Sequence, residues 1–205
     1  MKSLLFTALL LSILGLASAQ KVYTYKDIVP IKTIMFYGID FSNAEIIFES
    51  PRHQKIIKHR LYDDFNDEFL TDKSDKLKKC LDKQVIYQED IQKQRESLKD
   101  TLLKMADSSD YQKVVKKYQL TEKEGIGLVF IVKCLDKRHQ RVELCPVFFD
   151  IASKNVLWIR KTIGKGRNGP LEDRDPSGLD YYWRIRIFHG INKFMKNYSD
   201  VIQIQ

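Results

Sequence analysis

Apolar and polar positions along the chain change their period several times, and each change marks an element. Thr33 to Phe41 is a near-continuous apolar run rich in β-formers, the pattern of a strand covered on both faces. Before it, Gln20 to Pro30 alternates around Val22, Tyr23 and Tyr25 and predicts an edge strand or an arm. Ser50-Pro51 supplies a helix cap followed by proline at the first helical position. Ile57, Leu61, Phe65 and Phe69 then repeat every four residues as one apolar stripe, with Lys58, Asp63, Asn66 and Asp67 directed elsewhere. Leu77, Cys80 and Leu81 predict a short helix and Gln84 to Tyr87 a brief strand. Two more helices are expected, one through Ile91, Leu98, Leu102 and Met105, the next through Tyr111, Val114, Val115 and Tyr118.

In the second half the period drops to that of strands. Gly127–Leu135, Val142–Ile151 and Val156–Ile163 read as three strands joined by short polar turns, an antiparallel meander. With the first turn centred on His139-Gln140, Cys134 faces Cys145, Val132 faces Val147 and Phe130 faces Phe149. That cysteine pair could close a disulfide, while Cys80 stays a buried free thiol. A polar loop, Gly164 to Leu179, leads to a last helix carrying Trp183, Ile187, Ile191, Phe194 and Tyr198 at helical spacing. The fold class is therefore α+β: a mixed β-sheet with a C-terminal three-stranded antiparallel meander, helices packed on the sheet and a C-terminal helix.

The first nineteen residues stand apart from this pattern. Lys2, the apolar run Leu4–Leu16 and the small-x-small site Ala17-Ser18-Ala19 follow the order of a secretory signal peptide. The run is shorter than the roughly 20 apolar residues of a membrane span. Cleavage would leave one domain, residues 20–205, starting at Gln20 in the periplasm or outside the cell. The net charge of +8 alone would admit nucleic acid. Lysines interleaved with acids, as in Lys73-Ser74-Asp75-Lys76, speak instead for a solvated mixed surface. Three cysteines are too few for a disulfide framework.

Candidate chemistry is sparse. Gly164-Lys165-Gly166-Arg167-Asn168-Gly169 matches G-x-G-x-x-G, but Pro170 follows at once where a dinucleotide site needs a helix to begin. His53 and His59 are six residues apart, His139 sits in a turn and His189 in the last helix, so no metal-ligand pair forms. Asp63, Asp64, Asp67 and Glu68 share a helix face and pair in part with Lys58 and Arg60; they are not carboxylates facing one another across a cleft. No cofactor site, metal site or catalytic set follows, and the reading leans away from an enzyme. Tyr181-Tyr182-Trp183 cannot all point inward from one helix, so one or two are expected at the surface. With Lys165 and Arg167 on the preceding loop, these three make the candidate interaction surface.

The stretch Phe149-Asp150-Ile151-Ala152-Ser153-Lys154-Asn155-Val156-Leu157-Trp158 resembles a strand-turn-strand of bacterial envelope proteins. The element order is similar to that of CsgG/TolB-N-like α+β domains of Gram-negative envelopes. This resemblance implies an envelope location and a non-catalytic role, and it carries no catalytic residues over. The leading reading is a secreted or periplasmic interaction or assembly factor whose partner is an envelope protein or an anionic polysaccharide, not nucleic acid. The alternative is a small-ligand or glycan-binding protein, or a hydrolase whose site the sequence does not display.

Overall fold

The computed structural model describes residues 23–98, 108–166 and 176–202. Within them seven strands form one mixed sheet: β1 (Thr33–Asp40), β2 (Glu45–Ile47), β3 (Gln84–Tyr87), β4 (Ile126–Asp136), β5 (Arg141–Asp150), β6 (Val156–Ile159) and β7 (Thr162–Lys165). The helices are α1 (Pro51–Ile56), α2 (Tyr62–Asp72), α3 (Ser74–Leu81), α4 (Asp90–Leu98), α5 (Ser108–Lys117) and α6 (Pro176–Ile202). The class is α+β, as the periodicity predicts. The order β3-β1-β4-β5-β6 makes β1, β3 and β4 parallel, and β5 antiparallel to its neighbours.

That topology dictates two cores. The chain leaves β1 through α1–α3 to reach β3, then returns through α4 and α5 to β4 on the other side of β1. Right-handed crossovers taken in opposite directions cover opposite faces of a sheet. Accordingly Leu128, Phe130 and Val132 of β4 pack with Phe65, Phe69, Leu77 and the α6 residues Trp183, Ile187 and Phe194. Val129 and Ile131 between them pack with Ile91, Val114, Val115 and Tyr118 on the other face. Central strands covered on both sides cannot alternate with polar residues, which is why their runs are continuously apolar. Phe65 and Phe69 are fully buried, and such side chains contribute about 1.5–3 kcal/mol each.

Ser50 caps α1, its hydroxyl accepting from the His53 N–H at 3.2 Å, with Pro51 at the start of the helix. A strict four-residue apolar repeat overshoots the 3.6-residue turn of an α-helix. The chain absorbs the excess in a π-turn, Ile57–Leu61, between α1 and α2. Asn66 is not directed outward as its place in the stripe predicts. It is buried, accepting from the Ile39 N–H (2.7 Å) and donating to the Ile39 carbonyl (3.0 Å). These bonds occupy the Ile39 backbone where the β1–β4 register slips, beside Gly38 at φ +75°. Of the segment Gln20–Pro30, read as an edge strand or an arm, the described residues 23–30 contain a short 3₁₀ turn, Tyr25–Asp27, and no strand.

The β4–β5 register corrects the expected one. Cys134 pairs with Glu143, Cys145 with Ile131, Val147 with Val129 and Phe149 with Gly127. The turn is Lys137–Gln140, closed by the Gln140 N–H on the Lys137 carbonyl (3.2 Å), and the register slips again between Val132 and Cys134. Both shifts move the pairing away from one centred on His139-Gln140. All three cysteines are free thiols; the Cys145 thiol donates to Tyr111 Oη (3.0 Å) and half-buried Cys80 to the Met195 carbonyl (2.9 Å). Burial pushes the Cys80 and Cys134 thiols up to about 11, with Asp136 and Glu143 adding to the effect at Cys134.

The expected third strand is split into β6 and β7, both paired with β5. Pro146 explains the split. Its carbonyl accepts the Arg160 N–H at 3.4 Å, so its missing N–H falls on this same ladder. The predicted loop is also shorter at both ends, since β7 runs to Lys165 and α6 begins at Pro176. No helix among the described residues is long and apolar enough to cross a membrane.

Candidate interaction surface at the carboxyl end of the sheet

β7 runs antiparallel to β5 and hence in the same direction as β2 and β4. The carboxyl ends of these three strands therefore share one end of the sheet. Ile47, Asp136, Arg141 and Lys165 form a continuous row there, one residue from each of β2, β4, β5 and β7. Three strand spacings make the row about 15 Å long. In open α/β sheets, ligands characteristically meet this end of the strands.

Of the five residues singled out from the sequence, the structure brings two to this surface. Lys165 is exposed at the end of the row. Tyr181 is 44% exposed, with the Arg184 guanidinium carbon 5.4 Å from its ring centroid. Tyr182 and Trp183 are buried and belong to the scaffold. Tyr182 lies between two cations, with Lys137 Nζ at 4.1 Å and Arg186 Cζ at 3.5 Å from its ring centre. Its hydroxyl donates to the Lys137 carbonyl (3.4 Å), and Trp183 meets its ring edge-on at 4.9 Å. Arg167 falls outside the described residues.

Phe48 adds a residue outside those five. It follows β2 directly, is 57% exposed and holds φ at +60°, a conformation that a bulky aromatic residue rarely adopts. Arg138 lies over its ring at 4.7 Å and His139 meets it edge-on at 6.5 Å. Two exposed aromatics, each beside an arginine, thus stand at this end of the sheet. The apolar triplet Ile46-Ile47-Phe48 marks a short strand in the sequence but does not signal that its last ring is exposed.

Three buried carboxylates hold this end together. Glu49 meets His53 Nδ1 at 3.2 Å and Lys137 Nζ at 3.6 Å. Asp136 meets His139 Nδ1 at 2.6 Å and Arg141 Nε at 3.4 Å. Glu143 meets Lys161 at 2.8 Å, Arg141 at 3.3 Å and Lys133 at 3.9 Å. At Asp136 burial favours the protonated acid, but hydrogen bonds from the His139 N–H and ring, with the charges of His139 and Arg141, outweigh it. The carboxyl is held below its ordinary value.

A depressed folded-state pKa gives a stabilisation present above the unfolded value, about 4, and lost as pH falls through the folded one. Urea midpoints of the native protein should therefore fall toward those of Asp136→Asn as pH drops below about 4. A constant difference from pH 7 to 3 would refute this.

A cleft of about 520 Å³ opens on the flank of the same end, lined by Lys73, Lys165, Arg184, Ile185, Phe188, His189 and Asn192. A second cavity, of about 650 Å³, lies at the opposite end of the sheet between Val29–Lys32 and Lys78–Gln84. There Lys83 Nζ donates to the carbonyls of Val29 and Ile31, both at 2.7 Å, and serves to tie that loop down.

Comparison with known proteins adds little to this geometry. No family model and no curated protein matches the chain. Among solved structures it is similar to the LpoB C-terminal domain from Salmonella enterica, with a TM-score of 0.32 and 6% identity over 66% of this chain and 83% of that one. So slight a likeness transfers neither fold nor function. His53 and His139 each face a carboxylate, and His189 Nδ1 lies 2.5 Å from the Lys165 carbonyl. Among the described residues no group of three or more His, Cys, Asp or Glu is placed to hold a metal ion.

Proposed function

We propose that the protein is exported, with cleavage after Ala19, and acts in the envelope or outside the cell as a non-catalytic binding protein. Its partner is an envelope protein that meets the carboxyl end of the sheet. The observation that carries this reading is the pair of exposed aromatics, Phe48 and Tyr181, each beside an arginine on a platform fixed by buried ion pairs. Aromatic and arginine side chains dominate the energetics of protein interfaces. A bulky residue held in the left-handed region costs about 1–3 kcal/mol, and such strain concentrates at functional positions.

Phe48→Gly separates the two roles of that residue. Glycine adopts φ +60° freely, so the melting temperature should hold or rise, while the ring is lost. Residues 20–205 carrying Phe48→Gly with Tyr181→Ala should capture the partner from envelope extract at least about thirtyfold more weakly than the native chain, the loss of one hot spot of about 2 kcal/mol. Capture that is unchanged in the double variant would overturn the reading. Capture abolished by polysaccharide digestion of the extract would do so too, in favour of an anionic glycan.

A further inference from the structure

We propose that the flanking cleft is a binding site for a small organic anion, a carboxylate carried on an apolar body. Its residues come from α6 (Arg184, Ile185, Phe188, His189, Asn192), the end of β7 (Lys165) and the α2–α3 junction (Lys73). Phe188 is nearly buried and, with Ile185, supplies an apolar wall. The remaining lining residues bear cationic or hydrogen-bonding groups, and none of the described lining residues is a carboxylate. A volume of about 520 Å³ lies within the range of small-molecule sites.

The positive charge is not all spent within the protein. Arg184 Nη1 is held by Glu68 at 2.9 Å and lies 3.8 Å from Asp180, which fixes the guanidinium but commits only part of its fork of donors. Asn192 Oδ1 accepts from Lys76 Nζ at 2.8 Å, leaving its amide nitrogen as a donor. Lys73 and Lys165 enter no ion pair among the described residues. An inorganic anion would leave the apolar wall uncovered, and a neutral apolar molecule would leave the lysines unanswered. An amphipathic monoanion satisfies both. The cleft shares Lys165 and Arg184 with the partner surface, but neither Phe48 nor Tyr181 lines it, so the two can be tested apart.

The test is a titration of residues 20–205, followed through backbone amide NMR shifts, with 4-phenylbutyrate, its neutral amide 4-phenylbutanamide, and acetate. The expected result is saturable binding of 4-phenylbutyrate, with shifts centred on residues 185–192 and Lys73. The amide and acetate should each bind at least about tenfold more weakly, one charge-assisted contact or the apolar contact being lost. Lys73→Gln should weaken 4-phenylbutyrate about tenfold with an unchanged melting temperature, and Ile185→Glu, which places a carboxylate in the cleft, should abolish binding. The proposal is overturned if 4-phenylbutyrate fails to bind at millimolar concentration, if the amide binds equally well, if the shifts centre on the second cavity at Val29–Lys32 and Lys78–Gln84, or if both folded variants bind as the native chain does. None of these outcomes bears on capture of a partner by Phe48 and Tyr181.

Discussion

Gly164→Ala is expected to lower the unfolding free energy by more than about 4 kcal/mol, the range reserved for severe core overpacking. A Cβ at this position would stand 1.8 Å from the Arg186 carbonyl oxygen, 2.8 Å from its carbon and 2.9 Å from the Gly190 nitrogen. All three are backbone atoms of α6, so no side chain can rotate away. The helix would have to leave β7, taking the Arg186, Ile187 and His189 contacts with it. Gly190→Ala is the control. Its Cβ would meet Leu144 Cδ2 at 2.7 Å, the end of a side chain that can shift, and the Gly164 N and Cα less closely at 3.3 and 3.4 Å, and should cost about 1–3 kcal/mol. Urea denaturation of both variants decides the matter. If Gly164→Ala lies within 1 kcal/mol of the native chain, the close approach of α6 to β7 is wrong.

Arg186→Met is expected to lower stability by about 3 kcal/mol, since hydrogen bonds from a charged donor contribute about 1.5–3 kcal/mol and three are lost, the one to the Tyr182 carbonyl being buried. Arg186 is 2% exposed. Its Nε donates to the Gln140 carbonyl (3.0 Å), Nη1 to the Tyr182 carbonyl (2.7 Å) and Nη2 to Gln140 Oε1 (3.3 Å), while Cζ sits over the Tyr182 ring. Burial lowers the pKa of this group, with Tyr182 acting against that shift. The side chain thus ties α6 to the β4–β5 turn that carries Arg138 and His139. Arg186→Lys keeps the charge but lacks the planar fork, so it should recover less than half of the loss. Chemical denaturation of the two variants reads this directly, and a lysine variant as stable as the native protein would contradict the role given to the fork.

The elements were legible because their causes are local. A covered strand needs a continuous apolar run, and a helix packed on one side needs a stripe, so β1, β4, β5, α2 and α6 follow from the pattern of residues. Register was not legible. It turns on where the β4–β5 hairpin closes and on the slip between Val132 and Cys134, both settled by contacts distant in sequence. Asn66 was misread for a related reason: its position on the helix looked solvated, and the slipped β1 backbone at Ile39 gives it partners distant in sequence. In the candidate site, the exposure of Tyr181 follows from the aromatic triplet, while Lys165, expected on a loop, ends strand β7. Which of three adjacent aromatics faces solvent depends on the Lys137 and Arg186 cations that enclose Tyr182. Phe48 was invisible because its exposure comes from a positive φ that no residue type announces.

Pro146 has an effect outside the packing of its own strand. By interrupting the ladder it divides the outer strand of the sheet into two pieces of four residues, β6 and β7, with the charged and exposed Arg160 and Lys161 at the break. The opposite margin, β3, is also four residues long. An unpaired margin is a template on which another chain can add its own strand, and short, charge-broken margins are how natural sheets avoid it. Pro146 thereby guards the protein against growing into aggregates through its own sheet.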